Sequence, residues 1–257
     1  MRFDPELTPA RFLRRYKRFF LDAELESGER VVAHCPNTGS LRGCLVEGAP
    51  VMLQPASDPS RKLAWTWKMI RIDGCWVGVD TGLANGLVAD AIEAGLISEL
   101  SGYRRVFREV KYGVEGRSRI DLLLSRGGTL EPQPGRRRGA RQLPEGDERV
   151  YVEVKNTTLA FGERGARVAA FPDAVTERGR KHLMELVDVV KQGQRAAMVF
   201  SVQRGDCHAF TTADSIDPAY GEAFRAALEA GVEAYALAAR IGPRELRLSE
   251  RLPLIEL

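Results

Sequence analysis

The sequence predicts two domains, a small all-β barrel over residues 1–82 and an α/β domain over residues 83–257, and three observations carry this. Up to residue 82 the chain is a series of short apolar or alternating runs broken by turn residues. Beyond it, stripes of helical spacing appear for the first time and then alternate with strand-like runs. The full length of 257 residues, 44% of them hydrophobic, is enough for two modest cores.

Taken in order, the barrel strands are "RRYKRFFLDAEL", "ERVVAHC" leading into "PNTGS", "APVMLQPAS", "KLAWTWKMIRI" and "DGCWVGVDT", five or six strands spaced as in a compact barrel. Trp65 and Trp67 share one strand face and read as barrel core. In "GLANGLVADAIEAGLISELSGY", Leu87, Ala91, Ala94 and Leu96 form a helical stripe, with Gly102 as its stop. Three strands follow, "RRVFREVKYG", "SRIDLLLSR" and "RVYVEVKNTT". In "TERGRKHLMELVDVVKQG" Thr176 is the candidate N-cap, Leu183, Leu186, Val187 and Val190 make the stripe, and Gly193 closes the helix. "AAMVFSVQR" is a strand, "PAYGEAFRAALEAG" a helix and "VEAYALAARI" a final strand. Between the second and third strands of this domain, residues 127–148 are poor in apolar side chains and rich in Gly, Pro and Arg, which predicts a long loop. Its Arg136, Arg137 and Arg138 could touch phosphates or simply be solvated.

Charge and cysteine usage narrow the function. The 38 Lys and Arg nearly balance the 35 Asp and Glu, for a net charge of +3, so nucleic-acid affinity would have to come from local patches. Cys35, Cys44, Cys75 and Cys207 are scattered without a C-x-x-C pair, which fits neither a zinc ribbon nor a dense disulfide framework. "MRFDPELTPARFLRRYKRFF" lacks an apolar signal core and no apolar run reaches membrane-spanning length, so the expected compartment is the cytoplasm, with no membrane partner.

The chemistry concentrates in "YVEVKNTTL". On a strand, Glu153 and Lys155 share one face and Val152 and Val154 the other. An acid-x-base triplet is expected about 5 times by chance in so charged a chain, and Glu109-Val110-Lys111 repeats it. What distinguishes the Glu153 copy is its neighbour "SRIDLLL", where Asp121 interrupts an apolar run at a cost of several kcal/mol unless compensated. Asp121 and Glu153 on adjacent strands could chelate one hard divalent cation, Mg²⁺ or Mn²⁺, with Glu99 or Glu93 from the preceding helix completing the set. Lys155 could then hold the attacking water and counter charge on a phosphate. Asp121, Glu153 and Lys155 are therefore the candidate catalytic residues of a metal-dependent phosphodiesterase. The alternative is an Asp121–Lys155 ion pair closing a hairpin.

The blocks "HCPNTGSLRGCL", "LAWTW", "WVGVDT", "EVKYGVEGRSRIDLLL", "YVEVKNTTL", "FPDAVTERGRKHLMEL" and "GQRAAMVF" span nearly the whole chain and resemble successive blocks of the sugar fermentation stimulation protein family, a bacterial and archaeal group. The resemblance implies an OB-like barrel joined to a domain similar to the PD-(D/E)XK nucleases, in a cytoplasmic DNA-binding protein linked to regulation of sugar-utilisation genes. By motif, Asp121 fills the Asp position and Glu153 with Lys155 the (D/E)XK position. Ile120 stands where the motif has Pro, and the segment 127–148 is longer than the turn expected there.

Three further motifs bear on DNA, single- or double-stranded. "RFLRRYKRFF", read as the first strand, interleaves Arg11, Arg14, Arg15, Lys17 and Arg18 with Phe12, Tyr16, Phe19 and Phe20, a pattern in which cations track a backbone while aromatic faces stack on bases. Arg14, Arg15 and Lys17 are the candidate contacts. On the helix after Thr176, Arg178 and Lys181, with His182, offer a phosphate clamp at the first turns. "CPNTGS" is turn chemistry that could also present amides to an anion, and Gln203 could add a polar contact at the sheet end. Two functions remain: a DNA-binding protein with a nuclease-like metal site, or an active Mg²⁺- or Mn²⁺-dependent endonuclease. A sugar-acting enzyme lacks the carboxylate context it would need.

Overall fold

The computed structural model describes residues 1–113, 118–127 and 148–256; most of the Arg-rich segment, with Arg136, Arg137 and Arg138, lies outside them. The first six strands are β1 (Thr8–Tyr16), β2 (Phe20–Leu25), β3 (Arg30–His34), β4 (Pro50–Pro55), β5 (Trp65–Ile72) and β6 (Cys75–Gly78). They run in the order β3-β2-β1-β4-β5-β6, and a β3–β5 pairing closes the first five into an OB-like barrel. Alternation drives this. Phe12, Leu21, Ala23, Leu53, Trp67 and Ile70 point inward and are buried, with the Phe12 and Trp67 rings 5.6 Å apart.

The basic stretch read as one strand is a hairpin. The chain reverses at Lys17–Phe19, where Lys17 and Arg18 take left-handed φ angles of 47° and 62°. No Gly or Asn marks this turn, which hid it in the sequence.

The second domain is α/β, with one six-stranded sheet in the order β15-β14-β12-β9-β8-β7. Its strands are β7 (Arg105–Tyr112), β8 (Ser118–Ser125), β9 (Arg149–Thr157), β12 (Arg195–Val202), β14 (Glu233–Ile241) and β15 (Leu246–Leu252). β9, β12 and β14 are parallel, and the outer pairs are antiparallel. Helix α1 (Ala84–Glu93) covers one face through Leu87, Val88 and Ile92. Helices α2 (Glu177–Lys191) and α3 (Pro218–Glu229) cover the other through Leu183, Leu186 and Phe224. This two-sided cover explains the apolar runs of β8, β9 and β12.

The structure adds strands that the spacing of apolar residues does not predict. β10 (Ala160–Phe161), β11 (Arg167–Phe171) and β13 (Cys207–Thr212) form a small second sheet, and β15 edges the large one. Helix α1 stops at Glu93, with Gly95 at φ 75°, not at Gly102; a separate 3₁₀ turn occupies Ser98–Leu100. Thr176 caps α2 as expected, accepting from Gly179 N at 3.0 Å. Cys35, Cys44 and Cys207 are buried and Cys75 half-buried, and none is bridged.

Candidate metal centre

The antiparallel pairing of β8 with β9 runs from Ser125↔Arg149 to Leu122↔Val152 and stops there. Asp121 is next in register, opposite Glu153. Because the strands part at this point, the Val154 amide lacks a ladder partner on β8, and Asp121 Oδ2 accepts it at 2.8 Å. Asp121 Oδ1 accepts from Asn85 Nδ2, in the first turn of α1, at 3.0 Å. Burial, and then the charge of Glu153, push the Asp121 carboxyl above the usual carboxylate range.

Glu153 is 2% exposed. Its Oε1 accepts from Lys155 Nζ at 2.8 Å and is bonded to His182 Nδ1, while Arg178 Nε donates to His182 Nε2 at 3.3 Å. Since arginine can only donate, Nε2 is the acceptor, and we assign the ring proton to Nδ1, which donates to Glu153. Lys155 Nζ sits 3.2 Å from the same Nδ1. Burial pushes Glu153 upward, but the His182 bond and the Lys155 charge outweigh it, so its carboxyl titrates below the ordinary value. Two facing carboxylates are thus driven apart in acidity.

Glu153 Oε2 is buried and has no hydrogen-bond partner among the described residues. Such an oxygen carries an uncompensated desolvation cost. A hard cation bound to it would remove that cost, and with Asp121 close enough to feel the Glu153 charge the residues present fit a divalent ion held by carboxylates, with water and phosphate oxygens filling the remaining positions. No group of three or more His, Cys, Asp or Glu side chains forms a ready ligand set among the described residues.

The acid expected to complete the site is not there. Glu99 lies on the 3₁₀ turn, where Arg251 Nη1 donates to it at 2.7 Å and holds its carboxyl down to about 2. Its carbonyl accepts from Arg195 at 2.9 Å. Arg195 pairs with Val150, three residues and about 10 Å back along the strand from Glu153. Glu93 is exposed at the far end of α1, eight residues and about 12 Å along the helix from Asn85. What reaches the site instead is Asn85 and, from β7, Glu109. Glu109 falls between the Arg108↔Leu122 and Val110↔Ile120 pairs, opposite Asp121, with a left-handed φ of 54°. Asn85 Nδ2 lies 3.4 Å from its Oε1. Spacing hid both residues, because Glu109 belongs to the triplet expected by chance and an amide carries no acidic signature. His182, read as part of a phosphate clamp, stands inside the centre.

The predicted DNA contacts divide. Lys17 and Arg18 are exposed at the hairpin turn. Arg14 is exposed, bonded to Asp22 at 2.7 Å and stacked over Tyr16. Arg15 is committed elsewhere, donating to the carbonyls of Arg18, Asn37 and Ser40, so it ties the hairpin to the "PNTGS" turn. Arg178 and Lys181 are exposed on α2, Lys181 paired with Glu185 at 3.6 Å. Two minor expectations are narrowed. In the turn, the Gly39 amide is taken by Asn37 Oδ1, and the following Leu41 amide by Asp173 Oδ2, so neither is offered to an anion. Gln203 is fully buried, its Nε2 bonded to Asp80 O and Asn156 Oδ1, and serves as a joint between the domains.

The description "SfsA N-terminal OB domain" matches residues 13–79 and "Sugar fermentation stimulation protein RE domain" matches residues 82–245. The chain is 49% identical to a sugar fermentation stimulation protein homolog of Geobacter metallireducens, over 99% of this chain and 100% of that protein. It is 48% identical to the homolog of Geobacter sulfurreducens, over 95% and 94% of the two chains. Its fold is similar to a solved structure, Pyrococcus furiosus SfsA in complex with Ca²⁺, with a TM-score of 0.78 at 27% identity, covering 100% of this chain and 98% of that one. Among the described residues no helix is long and apolar enough to cross a membrane.

Proposed function

The chain belongs to the sugar fermentation stimulation protein family, and from that premise we propose that it binds DNA with weak sequence preference, in the cytoplasm, in regulating sugar metabolism, through a nuclease-like domain that holds one divalent cation. The observation that carries the reading is the buried, unpartnered Glu153 Oε2, with the Asp121 carboxyl close enough to feel the Glu153 charge. The P. furiosus relative, solved in complex with Ca²⁺, supports it. Asp121 and Glu153 would hold Mg²⁺ or Mn²⁺, which when bound would supply a Lewis acid for phosphate oxygens. Lys155, anchored by Glu153, keeps an ammonium beside that position to meet developing negative charge. His182, held between Glu153 and Arg178, fixes the orientation of the Glu153 carboxylate. Lys17, Arg18 and Arg178 supply exposed cations for the DNA backbone.

A second reading, an active endonuclease, is favoured by one further observation: the opposite shifts of Asp121 and Glu153 next to an ammonium are the arrangement that proton-handling sites use. Calorimetric titration of Mn²⁺ and Mg²⁺ into the protein, with and without a short duplex, tests the first reading. Saturable binding at one site that tightens with DNA is expected, and heat no greater than dilution in both arms would refute it. Incubation of the loaded protein with plasmid and oligonucleotide DNA, with EDTA as the control, decides the second.

A further inference from the structure

Three of the blocks singled out in the sequence converge on one cavity that the metal centre does not use. It has a volume of about 180 Å³ and lies between the domains, lined by Asn37 and Thr38 of "CPNTGS", by Asn156 and Thr157 of "EVKNTT", and by Phe171 and Asp173 of "FPDAV". The turn is pinned against the second domain because Asp173 accepts from Ser40 Oγ at 2.9 Å and Leu41 N at 3.0 Å. A Cβ on Gly39 would sit 2.9 Å from Asn37 Oδ1 and 3.0 Å from Asp173 Oδ2, so a larger residue there would have to displace the two side chains that hold the turn.

The polar groups around this space are unspent in a consistent way. Asn37 uses its Oδ1 on Gly39 N and Asn156 its Oδ1 on Gln203, which leaves both amide NH₂ groups without a partner among the described residues. Asn37 is only 5% exposed. The cavity's hydroxyl is that of the exposed Thr38, since the Thr157 hydroxyl, though unpartnered among the described residues, is closed off from solvent. Phe171 lines one wall, its ring packed against Tyr220 and Phe200 at centroid distances of 5.2 and 5.7 Å. No lysine or arginine lines the cavity and one carboxylate does, so it is not built for phosphate. Amide donors, a hydroxyl, a carboxylate edge and one aromatic face together suit an uncharged planar heterocycle with acceptors on one edge and an amine on another. The volume is below the roughly 300–1,000 Å³ of whole-ligand pockets. It holds one ring system and not a cofactor.

We propose that this cavity receives a single unstacked base of a nucleic-acid strand whose backbone runs past the metal centre, an inference that rests on the DNA-binding reading. The geometry of β9 supports the path. Thr157 lies on the same face as Glu153 and Lys155, about 13 Å beyond Glu153. A strand with one phosphate at the cation can therefore place a neighbouring base between Phe171 and the Asn37–Thr38 turn, as enzymes that take bases out of the stack do.

The test uses the full chain with methyl-labelled threonine. Titration with the four deoxynucleosides should shift the Thr38 and Thr157 methyl signals saturably for at least one base, while glucose leaves them in place. Thr38→Phe, a change at an exposed position at the cavity mouth, should weaken that nucleoside at least tenfold with no loss of melting temperature. In parallel, iodouracil-substituted oligonucleotides should photo-crosslink at Phe171. Absence of any nucleoside shift, or shifts with glucose equal to those with nucleosides, overturns the assignment. Oligonucleotides that bind but crosslink only at the Lys17–Phe19 hairpin also overturn it while leaving the DNA reading intact. Nucleosides that fill the cavity in a protein that retards no DNA would refute the DNA reading and with it the strand-bound base, leaving a site for the free nucleoside.

Discussion

At the scale of single residues, the centre is a pair of carboxylates whose environments oppose each other. Asp121 has its pKa raised on folding. Its contribution to stability is therefore present below the ordinary aspartate value and lost as pH rises through the raised value, so at neutral pH the ionised, metal-free form is a cost. Glu153 has the opposite sign: its lowered pKa contributes stability above the ordinary glutamate value, lost as pH falls through the lowered one. Asp121→Asn should therefore raise the melting temperature of the metal-free protein at pH 7, a flip of the Asn85 amide keeping both bonds of residue 121 while giving up the long Asn85–Glu109 contact. The same variant should bind Mn²⁺ about 100-fold or more weakly, since removing a mere supporting group around a metal already costs 10–100-fold. Thermal scans and calorimetry with and without Mn²⁺ check both halves, and parent-like Mn²⁺ binding would show the pair to be structural. Lys155→Ala should retain cation and DNA binding, because Glu153 Oε2 and Asp121 remain, while any cleavage falls by about 100-fold or more with the loss of one preorganised charge. Loss of DNA affinity in that variant would mark Lys155 as a phosphate anchor. Asp121, Glu153 and Lys155 were legible because charge inside an apolar strand needs a reason. Asn85 and Glu109 were not, since their roles come from which helix end and which strand bend meet in space.

At the scale of elements, the β1–β2 hairpin shows how a charge pattern can be read correctly in kind and wrongly in detail. Five cations in eight positions announce a basic surface, yet the fold spends Arg15 on three carbonyls and leaves Lys17 and Arg18 exposed at a left-handed turn. These cations should accordingly separate by assay. Lys17→Ala with Arg18→Ala should weaken DNA binding across all sequences and reduce the slope of log affinity against log salt by about 0.9 for each phosphate no longer neutralised. Arg15→Ala should instead lower stability by about 1–2 kcal/mol through its carbonyl partners, with a slope close to the parent's. Mobility shifts over a salt series, paired with denaturant melts, distinguish the two. A slope unchanged by the double variant would remove the hairpin from the DNA surface. Strong periodicity made α2, α3 and the central strands legible. β10 escaped because it spans two residues, β11 ("RVAAF") and β13 ("CHAFTT") because small and polar side chains give them no clear apolar run or alternation, and β15, "LRLSERL", because a polar edge strand imitates a loop.

At the scale of the whole molecule, the change of texture near residue 82 suggests two independent bodies, but the structure joins them through polar bonds, several of them buried. Gly78 N donates to Gln203 O at 2.7 Å, Gln203 bridges Asp80 and Asn156, and Arg167 bonds Asp73 of the barrel and Asp206 of the second domain. The N-terminus closes the other side, with Met1 and Leu246 exchanging two hydrogen bonds. No periodicity could announce the bonds that cross between the domains, because each pairs residues more than ninety positions apart. Breaking one domain would strand buried donors and acceptors in the other, so the chain should unfold in a single transition despite its two cores. Gly78 is where this coupling is tightest, since a Cβ there would fall 2.3 Å from Gln203 Oε1 and 3.1 Å from Ile241 Cδ1. Gly78→Ala should therefore cost about 1–3 kcal/mol by overpacking and, by pushing Gln203 from its partners, split the parent's single calorimetric peak into two. The cavity beside Asn156 is bounded by both domains, so the same variant should loosen nucleoside binding there while Mn²⁺ binding at Asp121 and Glu153, built within one domain, stays at the parent level. A parent that already melts in two steps, or a variant that melts in one with unchanged midpoint, would show the barrel and the nuclease-like domain to be energetically independent.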